Sequence, residues 1–541
     1  MHKYEEEKCF NLLDEPWIIV KTESNKTQMW SILDVFKHAH DAKMLAGELP
    51  TQDIAIMRLL LAIMHGAFVS EKIENVDDAV NLWRELWDLK QFPYEIVESY
   101  LEKYRERFWL FHPTQPFYQS AHIKENMDKY KVGKGKKVST DEKYKTVARL
   151  VGDLFQSDNS PRLFPGRTGI KQTSLEYAEA ARWLLHLNGF DDDAAKMPTP
   201  KGVGYLGQLG LIYIQGGNLF ETLMLNFVLA DQRNEIFDDG SQECAYWEKE
   251  ICEDIERQIV QPRAQKDLLT FQSRRILLKR DNGTVIGYLL TMGDYVEKGE
   301  SLKNEMMTVL RKEDDGIKPK KHVLERQIWR DLSALLGKMH DNSSAPPGVI
   351  HWIQTLREDN VDINRIKLVT TGSCYSLKGA GWQIEDYISD TLAINSALLD
   401  KLREVWIEDI VDVLNKTDKA VWELGQLASK IDGAAGDSDE NRKKEAARKA
   451  REDGYYHLDN LFRKWLISIN PDKDELEEKM NEWLGVTKAQ IIELGDEMLN
   501  KCSDTAIIGN RNRNEDKKNE VNALQAFLRF RSNVSKHLMG R

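Results

Sequence analysis

The segment YYHLDNLFRKW at residues 455–465 carries an aromatic stripe at helical spacing. Tyr455, Phe462 and Trp465 recur at intervals that place them on one side of a helix. A stripe of this kind is more typical of the core of a helix bundle than of a ligand-binding surface. The segment therefore predicts a helical domain around it.

Long amphipathic patterns continue on both sides of this segment and predict four helices. Glycine, proline and polar residues interrupt these patterns for known backbone reasons. The result is a predicted four-helix bundle in the C-terminal part of the chain. The predicted helices are 387–431, 439–469, 473–500 and 516–538, and the breaks are 433–436, 470–471 and 509–514.

Residues 10–386 have a different texture, with short alternating or apolar runs between helical segments. Helices are predicted at 51–65 and 76–89, and two strands, 275–280 and 285–291, flank the turn sequence Asp-Asn-Gly. We therefore predict an α+β protein, in which a large mixed α/β N-terminal domain precedes the four-helix bundle. The predicted domains are 1–386 and 387–541.

Composition limits the function classes. The chain has 541 residues, enough for two domains, and a net charge of −12, which argues against a general nucleic-acid coating protein. Any DNA contact must therefore be local. Its five cysteines include no CxxC pair, which disfavours a disulfide framework and a four-cysteine zinc site. Since no run of about 18 apolar residues occurs and the first residues are charged, we expect a cytoplasmic protein without a membrane span.

Two apparent catalytic motifs lack the context that their chemistry needs. The sequence GVGYLG at 202–207 matches G-x-G-x-x-G, but no apolar strand precedes it, so we expect a loop that approaches another backbone closely. His340 and Asp341 form a pair seen in metal-dependent phosphohydrolases, without recognisable companion ligands. A metal-dependent nuclease or phosphohydrolase remains one alternative, and a purely structural scaffold is another.

Two polar segments of the first domain are candidate DNA contacts. In RLFPGR at 162–167, two arginines surround an apolar pair, which suits phosphate contact with stacking or wedging; a surface turn anchored by its phenylalanine is the alternative. In QSRR at 272–275, two arginines lie beside a strand, and structural ion pairs are the alternative. The candidate residues are Arg162, Leu163, Phe164, Arg167, Arg274 and Arg275.

Several motifs, in order along the chain, resemble the large subunit (CasA) family of the type I-E CRISPR Cascade complex. The resemblance includes the opening NLLDEPWI and continues to the aromatic stripe of the bundle. The resemblance covers nearly the whole chain and rests on the order of the motifs. The segments are 10–18, 107–113, 116–119, 216–223, 270–275 and 455–465.

The resemblance implies a non-catalytic subunit near the 5′ handle of the crRNA, assembled with the other Cascade subunits. Such a subunit recognises the protospacer-adjacent motif of double-stranded target DNA, mainly from the minor groove. It then promotes strand opening and helps recruit a helicase-nuclease effector. Guide pairing reads the rest of the target, as in other RNA-guided systems.

The resemblance also implies three DNA-contacting elements besides the loop at 162–167. A glycine loop maps to Lys201, Gly202, Val203 and Gly204. A lysine finger maps to Lys298, with Lys303 as the alternative.

The third element, a wedge, maps to 376–383, where the adjacent amide residues common in relatives are missing. Lys378 or Gln383 substitutes for them, or the wedge is apolar through Leu377 or Trp382. The cysteine-bound zinc of some relatives has no counterpart here, so neither a metal nor a cofactor is expected.

Overall fold

The structure is a computed structural model in which the chain divides into two compact units. It describes residues 8–69, 73–123, 144–152, 167, 169–192, 202–233, 235–237, 244–250, 258–262, 264–297, 299–314, 316–337, 344–363, 365–378, 381–436, 439–509 and 522–540. The first unit comprises 1–324, 339–361 and 367–391, and the second comprises 325–338, 362–366 and 392–541.

The first unit is built from helices and small sheets. Its described helices are α1 (Ile32–His38), α2 (Pro50–Phe68), α3 (Val76–Asp88), α4 (Tyr94–Lys103), α5 (Tyr177–Phe190), α6 (Leu219–Leu225), α7 (Gln265–Leu269) and α9 (Gly348–Glu358). The short helix α8 (Leu332–Leu335) belongs to the second unit. The predicted helices at 51–65 and 76–89 are confirmed as α2 and α3. Helix α2 is buried along most of its length, because apolar residues occupy nearly every position from Ile54 to Met64.

Sixteen strands are described, and they form six small sheets. The strands are β1 (Cys9–Asn11), β2 (Ile18–Thr22), β3 (Thr27–Trp30), β4 (Ala42–Leu45), β5 (Trp109–Phe111), β6 (Lys145–Thr146), β7 (Leu211–Gln215), β8 (Ile259–Val260), β9 (Arg274–Asp281), β10 (Thr284–Met292), β11 (Tyr295–Val296), β12 (Leu310–Glu313), β13 (Gly316–Pro319), β14 (Ser344–Ala345), β15 (Arg365–Lys378) and β16 (Gly381–Asn395). The sheet orders are β1-β5, β3-β2-β4, β6-β10-β9, β11-β8, β13-β12-β14 and β16-β15-β7.

The hairpin of β9 and β10 confirms the prediction made from Asp-Asn-Gly. Asn282 and Gly283 have φ values of 46° and 80°, the left-handed conformation that a tight two-residue turn requires. The strands pair antiparallel from Asp281–Thr284 to Arg274–Met292. Strand β11, by contrast, pairs with β8 in parallel, Tyr295 opposite Ile259.

The described part of the second unit includes four long helices, α10 (Glu404–Ala434), α11 (Glu440–Ser468), α12 (Leu476–Lys501) and α14 (Ala523–Met539), with the short α13 (Asp504–Ile508) between the last two. The aromatic stripe of α11 is buried as predicted. The Phe462 ring lies 5.0 Å from that of Trp483 in α12, and the Trp483 indole donates to Thr417 Oγ1 of α10 at 3.0 Å. These contacts explain why the stripe belongs to the bundle core.

The fold class, α+β with a C-terminal helical region, is confirmed, but the predicted start of the first bundle helix is wrong. Residues 387–395 continue strand β16, and α10 begins only at Glu404. The predicted boundary at 386 falls within this strand, whose residues up to 391 belong to the first unit. Among the described helices, none has an apolar stretch long enough to span a bilayer.

Candidate functional site

The glycine loop is fixed to the end of helix α5 by its backbone. Gly204 N donates to the Asp191 carbonyl at 2.8 Å. A Cβ atom at position 204 would lie only 2.3 Å from the Gly189 carbonyl oxygen, whereas one at Gly202 would meet open space. The prediction of a loop that approaches another backbone closely is confirmed. The next element is a short 3-10 turn, Leu206–Gln208, which lacks the length of a dinucleotide-binding helix.

Arg274 contacts this loop from within the fold, in the ion pair that was the alternative to its predicted DNA contact. Its side chain is buried, with Nε donating to the Asp191 carboxylate and Nη2 donating to the Gly202 carbonyl at 2.8 Å. The guanidinium is thus engaged within the fold, where it orients the loop, and its contact with DNA stays a prediction.

Arg275 also serves the fold, for the same physical reason. It is buried, and Nη2 donates to Asp294 Oδ1 at 2.7 Å. This ion pair was the alternative to its predicted contact with DNA, which stays a prediction. Asp294 lies just before β11, so this ion pair ties β9 to the segment that leads to the predicted lysine finger.

A buried cluster lies beneath the glycine loop. The Arg58 guanidinium donates to both oxygens of Glu305, at 2.8 and 3.0 Å, and the Tyr205 hydroxyl donates to the same carboxylate at 3.1 Å. Burial and the neighbouring Glu305 charge raise the pKa of Tyr205 well above its usual value. The phenol therefore stays protonated as a hydrogen-bond donor, and the residue that follows Gly204 has a fixed position.

The hairpin of β15 and β16 is attached to the same end of helix α5. The Tyr375 hydroxyl donates to the Phe190 carbonyl at 2.9 Å, and Ile384 N donates to Asp192 Oδ2 at 3.1 Å. Gly207 leaves room for the Tyr375 side chain, because a Cβ there would lie 2.1 Å from the hydroxyl oxygen. Residues 190–192 thus hold both the glycine loop and the hairpin that contains the predicted wedge.

The end of this hairpin presents apolar side chains to solvent. Leu377 is 61% exposed and Trp382 is 43% exposed, whereas Gln383 is partly buried. Lys378 is the last residue of β15, and its side chain lies outside the description. Of the alternatives for the wedge, the two apolar residues have the exposure that insertion into a base step requires.

The other predicted contacts are only partly described. Arg162, Leu163, Phe164, Lys201 and Lys298 lie outside the described residues. Arg167 forms an ion pair with Glu179, and its guanidinium carbon lies 5.9 Å from the centroid of the Trp183 ring, so its side chain is engaged within the fold. Lys303 is exposed on the 3-10 turn Glu300–Asn304.

The segment KPKKH at 318–322 is basic, but its lysines were not among the residues predicted to contact DNA. Lys318 and Lys321 line a cavity of about 230 Å³ together with Val203 of the glycine loop. Arg311 lies directly opposite Lys318 in the β12–β13 pair, and Lys318 also forms an ion pair with Glu313 at 2.9 Å. Basic side chains are thus concentrated beside the glycine loop, although the whole chain is acidic.

Among the residues that the structure describes, no group of three or more His, Cys, Asp or Glu side chains is arranged to hold a metal ion. His340 and Asp341 lie outside this part of the chain.

Comparison with known proteins identifies the family. Residues 11–494 match the family model of CRISPR-associated protein Cse1. The chain belongs to the Cse1 family. The resemblance to the CasA family is thereby confirmed, since CRISPR-associated protein CasA/Cse1 of Thermus thermophilus is 26% identical over 433 residues, 78% of each chain.

Solved structures share the fold of this Cse1 family member. Cse1 of Thermobifida fusca is 27% identical, with a TM-score of 0.80 over 98% of each chain. A chain solved within a CRISPR RNA-guided surveillance complex is 17% identical, with a TM-score of 0.70 over 98% of this chain and all of that one. At that identity the similarity shows the fold alone.

Proposed function

We propose that this chain is a non-catalytic subunit of the type I-E Cascade complex that recognises the protospacer-adjacent motif in double-stranded DNA from the minor groove. It promotes strand opening beside the crRNA-paired target and helps recruit the helicase-nuclease effector. Its partners are the other Cascade subunits, the crRNA 5′ handle and the target DNA. Membership of the Cse1 family supports the place of the chain in this assembly.

The observation that carries the proposal is the common attachment of the loop and the hairpin. Asp191 binds Gly204 and Arg274, while its neighbour Asp192 binds Ile384 of the hairpin. A loop that reads the groove and a wedge that enters the adjacent base step must keep a constant spacing, because one base step separates their targets. The Asp191 carbonyl, which accepts from Gly204, and the Asp192 carboxylate, which accepts from Ile384, belong to consecutive residues at the end of helix α5 and provide that spacing.

The open face of Gly202 suits close contact with the minor-groove edges of bases, where a side chain would obstruct the approach. The minor groove distinguishes A·T from G·C but scarcely A·T from T·A, so we expect several related motifs to be accepted. Basic residues at Arg311 and Lys318 provide phosphate contacts, which fix register without reading sequence.

The wedge function depends on exposed apolar area. Inserting a side chain between base pairs costs about a few kcal/mol of stacking, which contacts to the bent duplex must offset. Leu377 and Trp382 provide this apolar surface at the end of the hairpin. Contact with the motif and opening of the duplex are therefore coupled.

The test uses the guide-loaded complex with and without this chain, on targets that differ only in the adjacent motif. We expect motif discrimination only when the chain is present. In the same assay, the double variant Leu377→Ser/Trp382→Ser should retain motif binding but lose permanganate reactivity of thymines next to the motif. Tyr456→Ser, at a 74% exposed aromatic residue of the bundle, is the control.

Either of two results rejects a part of the proposal. Equal discrimination without the chain rejects motif recognition. Full strand opening by the double variant rejects the apolar wedge, even if discrimination is retained.

A further inference from the structure

The cavity beside the glycine loop has buried walls and an accessible rim. Its volume is about 230 Å³, below the roughly 300 Å³ at which pockets for drug-sized ligands begin. The walls include Val203, Tyr205, Leu209 and Val296, all buried. Phe271 and Tyr295 also line it and are partly exposed, so aromatic surface is available to a small, flat ligand.

The polar groups of the walls already have partners within the protein. The Tyr205 hydroxyl donates to Glu305, and Ser273 Oγ accepts from Tyr205 N at 3.1 Å while donating to the Asn188 carbonyl. Gln208 Nε2 donates to the Val203 carbonyl at 3.2 Å. The walls therefore provide apolar and aromatic contact rather than a specific set of hydrogen bonds.

The rim of the cavity favours an anion. Lys318 and Lys321 line it. Lys318 forms an ion pair with Glu313, and Asp294 forms one with Arg275, so the net positive charge of the rim comes from Lys321. Lys321 is exposed to solvent at this rim, where it can reach a phosphate, and partial desolvation lowers the pKa of its ammonium group.

We propose that this cavity takes up a single nucleobase extruded from the DNA strand that is displaced beside the glycine loop, with the adjoining phosphate held by Lys318 and Lys321. The inference rests on the proposed function, which supplies an opened duplex at this place. An unpaired base pays less to leave the stack than a paired one does. Because Val203 belongs to both the loop and the cavity wall, the site is adjacent to the loop that is proposed to read the motif.

The walls predict that the cavity accepts different bases. Stacking on aromatic side chains tolerates any base, since each has a π-face, whereas selection needs unpaired donors and acceptors. Capture of the base would slow re-annealing of the opened strands without adding sequence preference.

The experiment places 5-iododeoxyuridine at the first displaced position of a matched target bound to the guide-loaded complex. Irradiation should crosslink this base to Tyr295 or Phe271, identified by mass spectrometry. Tyr295→Ala should reduce the crosslink at the cavity by roughly tenfold, the lower range expected for loss of one stacking ring. Tyr295→Phe should retain it, and Tyr456→Ala serves as the matched aromatic control on the bundle.

Charge is tested separately with Lys321→Gln, compared with Lys312→Gln, which removes an exposed lysine from β12 that does not line the cavity. Only the first should lower the crosslink yield. Free 5-iododeoxyuridine monophosphate and a guide RNA with 5-iodouridine in its 5′ handle form two further arms. Crosslinking of the cavity in either arm, with none from the displaced strand, overturns the proposal.

Motif discrimination is measured in the same samples. A complex that discriminates motifs without a crosslink at the cavity rejects the base pocket and leaves the proposed function intact. A complex without motif discrimination rejects the proposed function itself. Unchanged thermal unfolding of Tyr295→Ala confirms that its effect is local.

Discussion

Two glycines of one loop should differ in how the same substitution affects stability. In Gly204→Ala, the new methyl group would lie 2.3 Å from the Gly189 carbonyl oxygen and 2.6 Å from its carbonyl carbon. Backbone atoms cannot rotate away as a flexible side chain can, so the loop must move. Overpacking of this kind costs about 1–3 kcal/mol.

Gly202→Ala adds the same methyl group where the structure has open space, and its φ is not in the left-handed region. We expect no loss of stability there. If position 202 contacts the minor groove, the methyl group should instead weaken binding of matched targets, because it prevents close approach to the base edges.

The assay combines urea unfolding of the chain with target binding by the assembled complex. Gly204→Ala should lower both the unfolding midpoint and motif discrimination, whereas Gly202→Ala should lower only discrimination. Equal unfolding midpoints for the two variants would refute the packing argument. Unchanged discrimination in Gly202→Ala would refute the assignment of its open face to DNA.

Three further predictions follow from buried and basic groups. Arg274→Met leaves the Asp191 carboxylate buried and unpaired, so the free energy of unfolding in urea should fall by about 3–5 kcal/mol. Adding Asp191→Leu should restore most of this loss, and a double variant whose loss is the sum of the two single losses contradicts the prediction. Burial raises the pKa of Asp53 to about 7, so the folded state binds this proton more tightly than the unfolded state does. The free energy of unfolding should therefore fall as pH rises from about 4 to 7, by at most about 1.4 kcal/mol per pH unit. Asp53→Asn should remove that slope in thermal unfolding; an unchanged slope excludes Asp53 as its source. Lys318→Ala should reduce the salt dependence of DNA binding by about 0.9 in log K against log salt, the value for one phosphate contact, and an unchanged slope removes Lys318 from the interface.

The fold could be predicted where the residue pattern fits only one kind of secondary structure. The aromatic stripe of α11 fits a helix, and Asp-Asn-Gly fits a tight hairpin turn. Strand β16 was missed because its buried residues Ile384, Ile388 and Leu392 are spaced by four. A spacing of four places side chains on one face of a strand and also near one face of a helix, so the sequence could not separate the two.

The segments that form the candidate site could be predicted from the sequence. Whether their charged side chains are exposed or buried in ion pairs could not. Arg274 and Arg275 looked like surface cations because their partners are distant in sequence: Asp191 precedes Arg274 by 83 residues, and Asp294 follows Arg275 by 19. Burial of an arginine depends on whether folding brings a carboxylate to it, which local sequence does not reveal. The lysines at 318 and 321 are evident in the sequence, but only the structure shows that they line a cavity beside the glycine loop.

The hairpin of β15 and β16 behaves mechanically as a short cantilever. The bonds made by Tyr375 and Ile384 clamp it to the end of helix α5, and about three residues of each strand extend beyond, or about 10 Å at the usual rise of a strand. Because the segment beyond these bonds is short, it bends little, and the two bonds determine the position of its tip. The residues at the tip can therefore be exchanged for others without redirecting it, which makes this hairpin a natural place to engineer the proposed opening of the duplex.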